Sequence, residues 1–390
     1  MNQISNTSAS PTAAAANSTG TAAAVNTAAT AVVATLSSVH PKVLPPNTNE
    51  SALGAICLAN QANWVTTDYG PTLTSLNGQA LDSTWAESFF SPITELGLLA
   101  IKGADAKTFL QGQLTNDIAA MAIGQTLLAG YCTAKGRLLA TMQVMHDGAD
   151  SYNLLVSRPL AAALRKRLAM YVMRSKCVIT DLSDSHLVIG FVSVPDSVRA
   201  LCITAQAIIF DVVDLPTVAD VSPLAKQRFL TCVSIDRAVN LIAELSANLP
   251  EPIPARNAAL WRWTDCRTGQ PLITAQTSEL FVPQMVNLDL VDGVSFKKGC
   301  YPGQEVVARS HYLGRLKRRM FLGHAAVAQS PGSDVVATGA HEPVGQVVMA
   351  GPHPNGGFDV LFESQIEAAL NTQLMIGDAV LARVDLPYTL

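Results

Sequence analysis

The change of texture near residue 310 constrains the fold more than any other feature of the sequence. Upstream, segments with helical spacing alternate with runs of β-forming residues. Downstream, short β-rich runs are cut by Gly332, Gly339, Gly345, Gly351 and the pair Gly356-Gly357. A mixed stretch followed by an all-β stretch predicts an α+β region and then a compact β-barrel domain over 310–390, with strands at 319–322, 344–349, 358–362 and 379–384.

Within the mixed stretch, order is expected to begin near Ile93. Leu98-Leu99-Ala100-Ile101 reads as a buried strand stopped by Gly103, and Asp105 opens a helix carrying Phe109, Leu110 and Leu114 at helical spacing. Strands follow at 127–131 and 138–144, joined across Thr133-Ala134-Lys135-Gly136, and at 152–156. The spacing then predicts an amphipathic helix over 158–173, strands at 187–194 and 207–213, and helices at 223–230 and 237–245. No phosphate loop or dinucleotide glycine pattern interrupts this region. The domain reading is a low-complexity tail at 1–50, a weakly ordered approach segment at 51–92, the α+β region at 93–309 and the barrel at 310–390.

The tail is expected not to fold. It is mostly Ala, Thr, Ser and Asn, and such a stretch cannot bury enough apolar surface to offset its backbone entropy. The first basic residue is Lys42, which fits neither a secretory signal nor a mitochondrial presequence. Hydrophobic residues are 49% of the chain, but no apolar run reaches the roughly 18 to 20 residues of a membrane span, so the chain reads as soluble. Its net charge of -4 offers no global attraction to nucleic acid or anionic lipid. Seven scattered cysteines, Cys57 to Cys300, show no zinc-ligand spacing or C-x-x-C pair, a pattern that suits a reducing cytoplasmic setting and implies no metal site.

Cys300 stands apart from the other six. It lies between Gly299 and Gly303 and follows Lys297 and Lys298; nearby cations favour the reactive thiolate, and glycine keeps bulk away from the sulfur. The alternative is a tight turn in which the cysteine is merely a small packed residue. Glu305 and Arg309 have the spacing of a helical ion pair. From Lys297 to Arg319 the chain gathers seven of its 26 Lys and Arg residues, including the basic patch Arg315, Lys317, Arg318 and Arg319. Carboxylates or phosphates are its natural partners, and a solvated basic loop is the alternative. Trp261 and Trp263 bracket Arg262; an indole can stack on a flat heteroaromatic ligand or simply pack, and in a strand the two tryptophans share one face.

Three blocks resemble the YgfZ family, relatives of the aminomethyltransferase (T-protein) of the glycine cleavage system. They are Ile101 to Ala106 with Phe109 to Asp117; Ala134-Lys135-Gly136-Arg137; and Phe281 to Leu288 through Gly293-Val294-Ser295-Phe296 and Lys298-Gly299-Cys300-Tyr301-Pro302-Gly303-Gln304-Glu305 to Arg309. The resemblance implies two interleaved α+β domains and a C-terminal β-barrel arranged as a ring around a channel that binds tetrahydrofolate. It implies folate contacts from Trp261, Arg267, Gln284 and Asn287, and makes Cys300 the functional thiol. A second aromatic of the family's site falls here at Leu96. The acids that the aminomethyltransferases carry after the position of Gly136 are replaced by Leu138-Leu139-Ala140-Thr141, which speaks against aminomethyl transfer.

The expected function is therefore a folate-binding accessory factor for assembly or repair of iron-sulfur clusters, with Trp261 stacking on the pterin and basic residues near Arg315 to Arg319 holding the folate glutamates. Its partners are folate and iron-sulfur client enzymes or assembly proteins, its effect on tRNA modification is indirect, and it needs no membrane. A folate-dependent one-carbon transferase and an RNA-binding module using the basic patch are the alternatives. The patch lacks the interleaved aromatics of a single-strand binder, so direct nucleic-acid binding is the weakest of the three.

Overall fold

The computed structural model describes residues 61–312 and 316–390; the expected tail at 1–50, Cys57 and Arg315 lie outside the described residues. Regular pairing starts before Ile93. Trp64–Thr67 (β1) pairs antiparallel with Gly70–Leu73 (β2), and Phe89–Pro92 (β3) is buried along its whole length. The approach segment therefore contributes strands. Its weak local pattern hid them, because their burial comes from partners far along the chain.

Leu96–Lys102 (β4) leads to the short helix Ala106–Gln111 (α1), then to Thr126–Cys132 (β5), Leu138–Gly148 (β6), Ser151–Ser157 (β7), the helix Arg158–Val172 (α2) and Val178–Asp181 (β8). These strands form a five-stranded sheet in the order β8-β4-β7-β6-β5. One face packs Leu99, Tyr152 and Val156 under α1 and α2 through Phe109, Leu164 and Leu168. A four-stranded sheet follows from His186–Val192 (β9), Asp196–Thr204 (α3), Ile208–Asp211 (β10), Arg228–Ser234 (β11) and Ile235–Ala243 (α4), ordered β10-β11-β9-β3. Its edge strand β3 precedes the entire five-stranded sheet in sequence. The chain visits the second sheet, completes the first, and returns, so the two α+β units are interleaved.

The helix expected over 223–230 is not formed. Residues 223–227 are irregular, and Arg228–Ser234 is a strand paired on both sides, with β9 and β10. Phe229, Leu230, Thr231, Cys232 and Val233 are all buried, and burial on both faces removes the alternation that marks a strand in sequence.

Between the sheets runs Ala258–Thr268 (α5). Asn257 caps it by accepting a hydrogen bond from Ala259 N at 2.8 Å, and Gly269 ends it at φ +66°. Nine of its eleven residues are buried, so the helix has no solvent face. Trp261 turns toward the four-stranded sheet, where a Cβ on Gly190 would lie 2.8 Å from Cδ2 of the indole. Trp263 turns toward the barrel and donates from Nε1 to Asp359 Oδ2 at 2.8 Å. The face-sharing that a strand would impose on the two tryptophans is absent, because residues two apart on a helix diverge.

Beyond the helix Gln304–Tyr312 (α6), the chain forms a closed barrel from Arg318–Ala325 (β12), Asp334–Ala337 (β13), Pro343–Pro352 (β14), Phe358–Gln365 (β15), Leu374–Ile376 (β16) and Ala379–Val384 (β17), in the order β12-β15-β14-β13-β16-β17. The expected strands all lie within it; the short β13 and β16 and the helix Ile366–Asn371 (α7) had no sequence signal. Among the described residues no helix is long and apolar enough to cross a membrane.

A buried ion pair joins these parts. Arg262 on α5 bonds Glu95, just before β4, at 2.5 Å, with both side chains under a tenth exposed. The guanidinium also donates to Ala350 O on β14 at 2.9 Å and stacks 3.7 Å from the Tyr69 ring centroid, while Thr72 of β2 donates to the other Glu95 oxygen at 2.8 Å. Removing one partner strands a charge away from water. Arg262→Met is expected to lower unfolding free energy by about 3 to 5 kcal/mol, read from the urea midpoint, and an Arg262→Met/Glu95→Leu double variant to recover much of that loss.

Candidate functional site

The Cys300 loop is built by long-range contacts between the three sequence blocks that carry the family resemblance. Gly303, at φ +80°, abuts the turn between β5 and β6: a Cβ there would lie 2.6 Å from both N and Cα of Gly136. Gly136, at φ +71°, in turn faces Val306 of α6. Gly303 has no room for a side chain, Gly136 has little, and neither has a backbone conformation that a side chain favours. Lys298 ties the loop to the first block. Its buried ammonium donates to Gln111 O and Leu114 O at 2.5 Å and to Asn116 O at 3.0 Å, taking up carbonyls left over beyond the end of α1. Burial pushes its pKa down to about 8, against the opposing charge of Asp117.

Held in this way, Cys300 is exposed, and Gly299 beside it has open space where a Cβ would project. Cys132, Cys177, Cys202, Cys232 and Cys266 are buried, and burial pushes all five thiols up, to about 12 for Cys132 and Cys202. Tyr301 is buried under the loop with its ring 5.2 Å from Lys298 Nζ, and Gln304 opens α6, donating its backbone N–H to Tyr301 O. Glu305 and Arg309 lie exposed one turn apart on α6, and no ion pair between them is present among the described residues.

The second part of the site is a narrow cleft, of about 60 Å³, walled by α5, the inner face of the five-stranded sheet and β11. Trp261 and Leu96 both line it, so the two positions that the resemblance pairs do meet. Leu128, Met142, Leu155 and Leu230 supply apolar walls; Gln143, Gln270 and Asp265 supply polar groups. The cleft shares Leu128, Gln143, Val212 and Gln270 with an outer chamber of about 430 Å³ whose rim carries Asp117, Asp211 and Asp292. Asn116, whose carbonyl receives Lys298, also lines that chamber, which anchors the Cys300 loop to its wall.

Asp265 has no place in the sequence reading. It lies one helical turn after Trp261, and a segment read as a strand conceals that relation; read as a helix, the i, i+4 spacing points to it. Burial pushes its carboxyl up, while Arg228, whose Nη1 donates to Oδ1 at 2.9 Å, pulls the other way. Arg228 also lies 4.8 Å from the Trp261 ring centroid.

The remaining expected ligand contacts are used elsewhere. Arg267 reaches Asp359 of the barrel at 3.2 Å. Gln284 is fully buried and donates to Val307 O at 2.7 Å, and Asn287 both donates to Met320 O at 2.8 Å and accepts from Met320 N at 3.2 Å. These two amides stitch the 281–288 block to α6 and β12 and do not line the cleft. Two residues of the basic patch are matched by acid: Arg319 is buried in a two-armed pair with Asp289, at 2.6 and 3.0 Å, and Arg318 makes a two-armed pair with the buried Glu363. Lys317 is exposed. Thr141, the last residue of the Leu138-Leu139-Ala140-Thr141 run, lines the cleft with its hydroxyl committed to Pro271 O at 2.9 Å and Ile273 N at 3.0 Å.

No family model matches the chain. Among curated proteins it is similar to the tRNA-modifying protein YgfZ of Vibrio vulnificus, 33% identical over 62% of this chain and 71% of that protein. The protein of the same name from Pectobacterium carotovorum is 28% identical over 86% of this chain and 95% of its own length. Among solved structures, the glycine cleavage system aminomethyltransferase T of Bartonella henselae superposes with a TM-score of 0.67 over 87% of this chain, at 15% identity. That likeness establishes the fold, an aminomethyltransferase-type arrangement ending in a barrel.

Alkylation of the native protein with iodoacetamide, followed by peptide mass mapping, is expected to modify Cys300 well before Cys132, Cys202, Cys232 or Cys266. Labelling of Cys266 at the rate of Cys300 would contradict the packing described.

Proposed function

The chain belongs to the YgfZ family, and from that premise we propose that it binds tetrahydrofolate in the Trp261 cleft and serves as an accessory factor for assembly or repair of iron-sulfur clusters in client enzymes. In this reading its bearing on tRNA modification is indirect and runs through those clients. The observation that carries it is the cleft: an apolar slot with one indole, one carboxylate and two amides, in a fold of the aminomethyltransferase type. Such a lining suits a flat heteroaromatic ring with a polar edge. The ring would rest against Trp261, and Gln143, Gln270 and Asp265 are the polar groups within its reach. Folate supplies one-carbon and redox chemistry when bound; the chain's own contribution is to hold the ring in a water-poor slot.

Cys300 is the thiol available to a client or its sulfur and iron donors, because the loop presents it outward. The folate glutamates are not assigned to Arg318 or Arg319, whose charges are matched by Glu363 and Asp289. The same matching weakens the RNA-binding alternative. The aminomethyl-transfer alternative is weakened by Thr141, whose hydroxyl has no charge to offer and both of whose hydrogen bonds are already made.

Titration with tetrahydrofolate is expected to quench tryptophan fluorescence, with the effect strongly reduced in Trp261→Phe. In a deletion strain assayed for iron-sulfur enzyme activity and tRNA methylthiolation, the wild-type chain is expected to restore both and Cys300→Ala neither, although the variant still folds and binds folate. Full rescue by Cys300→Ala would remove the thiol from the mechanism.

A further inference from the structure

We infer that Asp265 is the specificity-determining residue of the cleft, accepting from the adjacent ring N–H and exocyclic amino group of a 2-amino-4-oxopyrimidine edge. The inference deepens the folate reading and rests on it. Trp261 and Asp265 are four apart on α5, so one helix face presents an indole and a carboxylate side by side to the same space. Among the described residues Asp265 is the only carboxylate in the lining of the inner cleft. About a quarter of its side chain remains exposed there, whereas the arginine that holds it is fully buried.

The carboxylate is oriented from behind. Arg228 is fixed by Val213 O at 2.9 Å and Thr264 Oγ1 at 2.5 Å, and it engages Oδ1. The Trp261 indole N–H also leans toward this carboxylate, which sets the carboxylate beside the indole on the cleft wall. A carboxylate held against Arg228 beside an apolar slot disfavours a ligand that brings only acceptors or hydrocarbon, because it would lose water without replacement. A ligand with two neighbouring donors replaces that water with charge-assisted hydrogen bonds. Pterin and guanine share this edge. Adenine alternates donor with acceptor, and uracil places its one ring donor between two acceptors. Gln143 and Gln270, joined by a long 3.3 Å contact, are amides able to turn and serve the rest of such a ring.

The test is calorimetric titration of the full-length protein and Asp265→Asn with three probes: tetrahydrofolate, a tetrahydrofolate analogue whose 2-amino group is replaced by methyl, and guanosine. Asparagine keeps the shape and can still accept from Arg228, and the analogue arm on wild type needs no variant at all. Wild type is expected to bind tetrahydrofolate and to lose about 10- to 100-fold with the analogue. Asp265→Asn is expected to lose a similar factor for tetrahydrofolate and little more for the analogue, since both changes remove the same contact. Guanosine is expected to bind more weakly than tetrahydrofolate, with the same dependence on Asp265. If tetrahydrofolate binds and both changes alter affinity less than about twofold, the role of Asp265 is overturned while the folate reading stands. If wild type does not bind tetrahydrofolate, whether or not guanosine binds, the folate reading fails and the inference falls with it.

Discussion

The seating of α5 is the constraint on which the other parts depend. A helix with no solvent face must find partners in every direction, and α5 finds them by approaching two sheets closely. Gly190 of β9 admits the Trp261 ring, and Gly351 of β14 admits the helix backbone itself, where a Cβ would lie 2.5 Å from Trp263 Cα. Close approach on both sides leaves the polar side chains of α5 little water, so each is answered by a partner. Arg262 is answered by Glu95, Ala350 O and the Tyr69 ring; Trp263 and Arg267 both reach Asp359; Asp265 is answered by Arg228. The helix thereby divides its residues by direction. One set binds the barrel, one binds the β1–β2 hairpin and Glu95, and one is left facing the cleft.

The Cys300 loop obeys a second constraint of the same kind, close contact between glycines far apart in sequence. Gly136 and Gly303 touch because Gly303 carries no side chain, and the contact fixes where α6 begins. Lys298 adds direction, since three carbonyls beyond α1 specify where its ammonium must lie. Exposure of Cys300 is then a consequence of how its neighbours are used: Lys298 and Tyr301 point inward as anchors, and the residue between them and away from Gly136 is left outside. The basic character of the segment, which in sequence suggests thiolate activation, is spent in part on this anchoring.

Local pattern made the α+β region, most of its strands and the barrel legible, because those elements have one buried and one solvated face. It failed where burial is complete. The doubly paired Arg228–Ser234 lost its alternation, and α5 lost its amphipathic stripe, so a helix was open to reading as a strand. The site followed the same division. Trp261, Cys300 and Gly303 were visible through residue type and motif. Arg267, Gln284 and Asn287 carry polar groups that a motif makes conspicuous, yet their hydrogen bonds serve the joints between barrel, α6 and α5. Asp265 was hidden because its meaning depends on a helical turn that the sequence did not disclose.

The arrangement of charge follows from these joints and bears on what the cleft can accept. Arg318 and Arg319 lie in a basic cluster only along the chain; in space each faces a carboxylate, Glu363 or Asp289, that is almost completely buried. An acid with so little water needs its cation nearby, so these arginines are tied to the stability of the barrel and of the 281–288 block. At the cleft and its outer chamber Asp265 is paired with Arg228 and Asp211 with Arg199, which leaves Asp117 and Asp292 to tip the outer chamber toward negative potential. A ligand entering there is favoured when its leading edge donates hydrogen bonds and its anionic end stays clear of the rim. That polarity is the opposite of the one suggested by counting basic residues along the sequence, and it follows from which charges the fold has already paired.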